Sequence, residues 1–188
     1  MKKNGFTIIE LLITFVILGI VVSIAIPGFS RWLPGYRLKS ASRELYANMQ
    51  LAKMGAVRDN GEWAVLFNAG GGSYQVISGG ADREYGKPGD NTTEKTINLS
   101  DYKSGIGYGQ GTVTIPIDAS RPLGDSVTFD DRYDGNDVIV FNSRGMINEQ
   151  VDSGGEAYIS NINNSTYAVV CLATGVILMR MWKGTAWQ

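Results

Sequence analysis

The sequence predicts an α+β chain in which one long N-terminal helix packs against antiparallel β-sheets. Three observations carry this. Residues 6–26 form an almost wholly apolar run, long enough to cross a bilayer as a helix. Apolar or small residues then recur at Leu38, Ala41, Leu45, Met49, Ala52 and Ala56. Their spacings of 3, 4, 4, 3 and 4 make one stripe of an amphipathic helix. From Glu62 onward, short runs rich in Val, Ile, Tyr and Phe alternate with glycine-bearing turns, the pattern of strands. The 24 glycines, nine tyrosines and 19% charged residues suit a β-rich, turn-rich domain better than a helical bundle.

The first element opens with Lys2, Lys3, Asn4 and Gly5, and the apolar run that follows holds one carboxylate, Glu10. A charge at the centre of a membrane span costs roughly 2.5–3.5 kcal/mol or more, and less near an interface, so a carboxylate kept there asks for a partner. A secretory signal peptide fits poorly. The run exceeds an h-region of about 7–15 residues, and no small-x-small cleavage site follows it; instead Pro27 and Gly28 lead to Phe29, Arg31 and Trp32. A plain anchor, oriented by its lysines with a cytoplasmic N-terminus, accounts for the length but not for Glu10 or the Gly5-Phe6 junction.

The helix is expected over residues 6–60. Pro27 and Pro34 interrupt it, and a kink is expected between the anchor and the outer half, because each proline removes an amide donor and crowds the preceding turn. Past Gly35, the charged residues Arg37, Lys39, Arg43, Glu44, Lys53 and Arg58 fall off the apolar stripe. The stripe reads as the seam for a sheet, and Asp59, Asn60 and Gly61 read as the stop.

Residues 62–68 and 73–78 form a hairpin around the glycine turn 69–72. Residues 79–111 are polar and read as a long loop, functional or mobile in character, with one short apolar trio at Ile97–Leu99. Further strands are read at 112–115, 126–129, 137–142, 156–160, 167–173 and 176–182, with turns at 143–145 and at Thr174-Gly175. There is no internal repeat.

Two resemblances enter at this point. The opening Lys-Lys-Asn-Gly-Phe-Thr-Ile-Ile-Glu-Leu-Leu resembles the prepilin signature of type IV pilins and type II secretion pseudopilins, over about the first 27 residues. It implies a leader at residues 1–5 and cleavage by a prepilin peptidase between Gly5 and Phe6. It also implies N-methylation of Phe6 and pairing of Glu10 with the N-terminal amine of a neighbouring subunit. Pro27 matches the helix-kinking proline of many pilins. A buried charge is tolerable in lipid when it is paired. Less sharply, Val-Ile-Val-Phe-Asn-Ser-Arg-Gly (residues 138–145), the strand ending at Thr174-Gly175 and the helix end at residues 45–60 resemble the GspH/FimT-type domain. Gly55 and Asp59 depart from that pattern. This resemblance implies a long helix packed on β-sheets in a pilin-like head.

The division implied is a leader at 1–5, a transmembrane helix at 6–30, the amphipathic half of the helix at 31–60 and a β-rich head at 61–188. The formal charge of −1 falls to −3 once Lys2 and Lys3 are removed, which is no broad electrostatic footprint for nucleic acid. Cys171 is the single cysteine, so no intrachain disulfide can form, and it reads as a small buried hydrophobe. There is no histidine, which removes the commonest general base and metal ligand.

Other candidate sites have plainer readings beside them. Asp130, Asp131, Asp134, Asn136 and Asp137 could supply oxygens to calcium, and the resemblance extends to G-type pseudopilins that bind calcium. The spacing is not that of an EF-hand and Arg132 adds a positive charge, so a solvated turn is preferred. Arg180 and Lys183, with Trp182 and Trp187, could combine phosphate contacts with base stacking. The arginine-rich motif of DNA-binding FimT-like proteins is absent, and an edge strand ending in a packed tryptophan is preferred. Asn-x-Ser/Thr sequons at Asn91, Asn98, Asn163 and Asn164 read as loop composition.

The function expected is that of a minor pseudopilin or minor pilin, not an enzyme and without a cofactor. It would be a structural filament subunit of a type II secretion pseudopilus or type IV pilus, acting in assembly initiation or at the tip. Its expected place is the inner membrane, crossed once with the N-terminus cytoplasmic and the head periplasmic, and then the filament. The partners expected are other pilins, the prepilin peptidase, and a secretion substrate or outer-membrane secretin; nucleic acid is disfavoured. The rivals are a DNA-binding minor pilin for natural transformation and, with no histidine or nucleophile motif to support it, a membrane-anchored hydrolase.

Overall fold

The computed structural model describes residues 6–86, 90–117, 123–129, 137–148 and 154–188. Helix α1 spans Ile8–Asp59. Asn60, in the left-handed conformation (φ 48°, ψ 48°), ends it by donating its N–H to the Ala56 and Val57 carbonyls, and the Gly61 N–H also reaches Ala56 O at 3.0 Å. Such a cap satisfies carbonyls that the last turn leaves without partners.

α1 runs through Pro27 and Pro34 as one helical element, over nearly the range expected. Each proline withholds one N–H, from the Ser23 and Ser30 carbonyls respectively. That loss does not end the helix, because bonds on both sides persist and no other described part of the chain packs on residues 8–32.

Among the described residues eight strands follow: β1 (Trp63–Asn68), β2 (Ser73–Ser78), β3 (Thr92–Asn98), β4 (Gly107–Tyr108), β5 (Asp137–Phe141), β6 (Gly154–Ser160), β7 (Thr166–Leu172) and β8 (Ile177–Met181), with a short 3₁₀ turn at Leu99–Tyr102. They form two antiparallel sheets, ordered β3-β2-β1-β5 and β4-β6-β7-β8. The second half of α1 lies against both. All six stripe residues are buried, meeting Val65, Phe67, Tyr74 and Val76 of the first sheet and Ile159, Tyr167, Val169 and Cys171 of the second. The expected seam is thus the core of the head.

The outer face of the first sheet is also apolar, with Ala64, Ile77, Val138 and Val140 packed beside Leu66 and Tyr85. On the second sheet, Tyr158, Ala168, Val170 and Trp182 are joined by Val113, Ile117, Leu123 and Trp187.

Three sequence expectations change. The polar stretch read as a loop contains β3 and β4. β3 is an edge strand whose first five residues are exposed, so it shows no apolar alternation to read. The expected strand at 112–115 has the alternation but pairs with nothing; Val113 instead covers the second sheet. The expected strand at 126–129 reduces to a single bridge between Val127 and Ala157.

Candidate functional site

The start of α1 is built by a local motif that the sequence reading missed. Thr7 is the N-cap, in extended conformation, and its hydroxyl accepts the Glu10 N–H at 3.3 Å. Thr7-x-x-Glu10 has the spacing of a capping box, and a carboxylate in the first turn also complements the positive end of the helix dipole. Phe6 sits immediately before the cap and is 82% exposed. Gly5, the residue before the expected cut, lies outside the described residues. The Glu10 side chain is exposed and has no partner among the described residues. The Phe6 nitrogen and the Glu10 carboxylate are therefore less than two helical turns apart, on a segment that touches nothing else.

The rest of the apolar segment is self-satisfied. Thr14 and Ser23 hydroxyls donate to the Leu11 and Ile20 carbonyls, each at 2.8 Å, and Ser30 to Ile26 at 3.1 Å. No side-chain donor on this stretch needs water, the condition for residing in lipid. The helix is long and apolar enough to cross a membrane, and none of that window is buried in the protein. Pro27 lies within it.

In the head, the two turns of the domain resemblance come together. A Cβ on Gly175, which has φ +75°, would collide with the Gly145 carbonyl oxygen. Lys53 of α1 crosses to donate to the Gly175 carbonyl at 2.8 Å. The Ser143-Arg-Gly145 and Thr174-Gly175 signals are one packing contact, pinned to the helix by a lysine. The two departures from the pattern are likewise one structure. A Cβ on Gly55 would sit 2.5 Å from Trp63 Cδ2, the Trp63 indole donates to Asp59 at 3.0 Å, and Arg58 lies 5.5 Å over the ring.

A polar network joins α1 to β3. Lys95 donates to Glu44 at 2.7 Å and to Asn48 at 3.2 Å, Asn48 donates to the Tyr74 hydroxyl at 2.9 Å, and Tyr102 donates to Glu44. Hydrogen bonds from Lys95 and Tyr102 hold the Glu44 carboxyl below its ordinary value. Burial pushes the Tyr74 hydroxyl well above its own.

The remaining candidates are placed as follows. Asp130, Asp131, Asp134 and Asn136 lie outside the described residues; Asp137 begins β5, opposite Phe67. Among the described residues no three acidic, histidine or cysteine side chains gather to hold a metal. Arg180 and Lys183 are exposed at the end of β8. The rings beside them are committed to the fold. Trp182 is 4% exposed, and Trp187 packs on Tyr158 and Trp182 while its indole donates to the Ile115 carbonyl at 2.8 Å. Cys171 is buried in the core.

A capped apolar helix whose second half lies on two antiparallel sheets has the architecture of a pilin-type subunit, and the prokaryotic N-terminal methylation motif matches residues 1–26. The chain belongs to the Type II transport protein GspH family, which matches residues 41–175. Two solved structures are similar. The minor pseudopilin EpsH of the Vibrio cholerae Type 2 Secretion System is 12% identical, over 76% of this chain and 95% of that one, with a TM-score of 0.49. The type IV minor pilin FimU of Pseudomonas aeruginosa (strain PAO1) is 12% identical, over 86% and 97%, with a TM-score of 0.47. No curated protein matches the chain.

Proposed function

We propose that this chain is a minor pseudopilin or minor pilin, stored in the inner membrane by residues 6–30 and assembled into a filament through its N-terminus. A prepilin peptidase cuts between Gly5 and Phe6, and the new Phe6 amine is methylated. The amine of one subunit then pairs with Glu10 of its neighbour, and extraction from the bilayer exchanges lipid contacts for helix–helix contacts. The head stands in the periplasm. The division at residues 1–5, 6–30, 31–60 and 61–188 follows from this reading.

The observation that carries it is the geometry at the start of α1. The proposed cut falls one residue before the N-cap, so cleavage places a positive amine at the positive end of a helix dipole, an arrangement that favours pairing with a carboxylate. A carboxylate without a partner stands within the first turn of the same exposed helix. Two opposite charges at a membrane boundary are each relieved by pairing. The capping role of Glu10 is compatible with this, since the cap uses its backbone N–H and leaves the carboxylate available.

Intact-mass measurement on protein extracted from membranes of a host with active prepilin peptidase is expected to show loss of residues 1–5 and one added methyl group. Gly5→Val is expected to block the cut. Recovery of full-length wild-type chains alone contradicts the reading.

A further inference from the structure

The 20 residues 11–30, between Glu10 and Arg31, carry no charged side chain. As a helix they span about 30 Å, the thickness of bilayer hydrocarbon. With Glu10 at one boundary, where its charge costs least, Arg31 falls at the other. Trp32 and Tyr36 then stand roughly 2–8 Å outside the hydrocarbon, in the headgroup layer.

Phe29, Trp32 and Tyr36 form a column on one face of α1. Phe29 and Trp32 have ring centroids 6.1 Å apart, and Trp32 and Tyr36 are stacked at 4.9 Å. The head does not cover them: Trp32 is 57% exposed, and Leu38 is the first buried residue of the helix. Arg37 donates to the Ser104 hydroxyl at 2.8 Å, and the Ser104 carbonyl accepts the Ile162 N–H at 3.1 Å. The loop bearing Lys103 and the turn bearing Ile162 therefore form the end of the head nearest the column. Ile162 is 71% exposed. Tryptophan and tyrosine favour the membrane–water boundary because one part of each ring is apolar and another polar. The stems of Arg31 and Lys39 can follow the apolar layer while their charges reach water or anionic lipid.

We propose that the Phe29–Trp32–Tyr36 column and Ile162 form a lipid-docking surface. It fixes the depth of α1 in the bilayer and seats the base of the head on the headgroups of the outer-facing leaflet. This rests on the reading of residues 6–30 as a membrane span. The occupant is lipid rather than a neighbouring helix, because the column continues the apolar span and is flanked by Arg31, Arg37 and Lys39, which suit a wet, charged boundary.

The test uses the full chain carrying Cys171→Ala, with nitroxide labels on single cysteines introduced at Val22, Gly35 or Asn163. Each is reconstituted in vesicles of phosphatidylethanolamine and phosphatidylglycerol, and depth is read from the balance of oxygen and water-soluble nickel accessibility. The expected result is position 22 in hydrocarbon and positions 35 and 163 at the interface. Combining Trp32→Ala, Tyr36→Ala and Ile162→Ser is expected to leave position 22 in hydrocarbon. It should move positions 35 and 163 toward water by on the order of one helical turn, about 5 Å. The circular dichroism spectrum should be unchanged, since all three side chains are exposed. Position 163 in water in the parent chain, or depths unmoved by the triple variant, overturns the proposal. Unmoved depths with weakened crosslinking to other pilins would reassign the surface to a partner helix. Position 22 in water overturns the membrane reading itself.

Discussion

Trp63 shows how one side chain can account for two departures from a family pattern. Its ring occupies the space a Cβ on Gly55 would fill, and its indole N–H is bound by Asp59. Gly55→Ala gains about 1 kcal/mol of helix propensity but forces the ring out of place, and overpacking costs about 1–3 kcal/mol. The variant is expected to be less stable than the parent by denaturant unfolding; equal or greater stability would show that the ring moves freely. Glu44 gives a residue-scale test in pH. Its carboxyl is held below the ordinary value of 4.5 by Lys95 and Tyr102, so its contribution is fully present above that value and is lost as pH falls through the lower, folded-state value. The stability difference between the parent and Glu44→Gln is therefore expected to be steady near neutrality and to shrink on acidification below about 4.5. A difference that grows with acid would contradict the assigned direction. Both features were poorly legible beforehand, because Gly55 and Asp59 read only as deviations until Trp63 was seen to fold back over the helix end.

At the scale of elements, α1 is two helices in one. Its first half carries apolar residues on every face and stays exposed among the described residues; its second half buries a single stripe. That stripe was plain in the sequence because a one-sided core leaves a 3.6-residue period. β3 was not, because an exposed edge strand held by backbone bonds leaves no side-chain period. Residues 112–115 misled for the converse reason: Val113 is buried, but by covering a sheet rather than joining one. The division of α1 is testable by truncation. A fragment beginning at Arg31 keeps the whole stripe and omits the apolar half, so it is expected to be soluble without detergent, monomeric and cooperative in unfolding. Aggregation, or a broad non-cooperative transition, would place the boundary elsewhere.

For the whole molecule, the described core of the head draws on the second half of α1 and not the first, whose apolar side chains stay exposed. The match to the N-terminal methylation motif was legible at the level of single residues, because Gly5 opens onto an apolar run in which Glu10 is the one charge. The capping role of Thr7 was not noticed, although Thr7-x-x-Glu10 is written in the sequence. The two roles of this segment separate in a Glu10→Leu variant. Replacing the carboxylate removes a charge from the anchor, so membrane insertion and cleavage at Gly5-Phe6 are expected to persist. What should fall is assembly, because the neighbour's Phe6 amine loses its partner. The most direct measurement is the amount of subunit crosslinked to other pilins, or recovered in sheared filaments, for parent and Glu10→Leu chains at equal membrane levels, with the same substitution made in the adjoining subunit as the reciprocal arm. The account predicts intact processing with a marked loss of co-assembly in at least one arm. Wild-type co-assembly in both arms, with normal secretion or piliation, would contradict it.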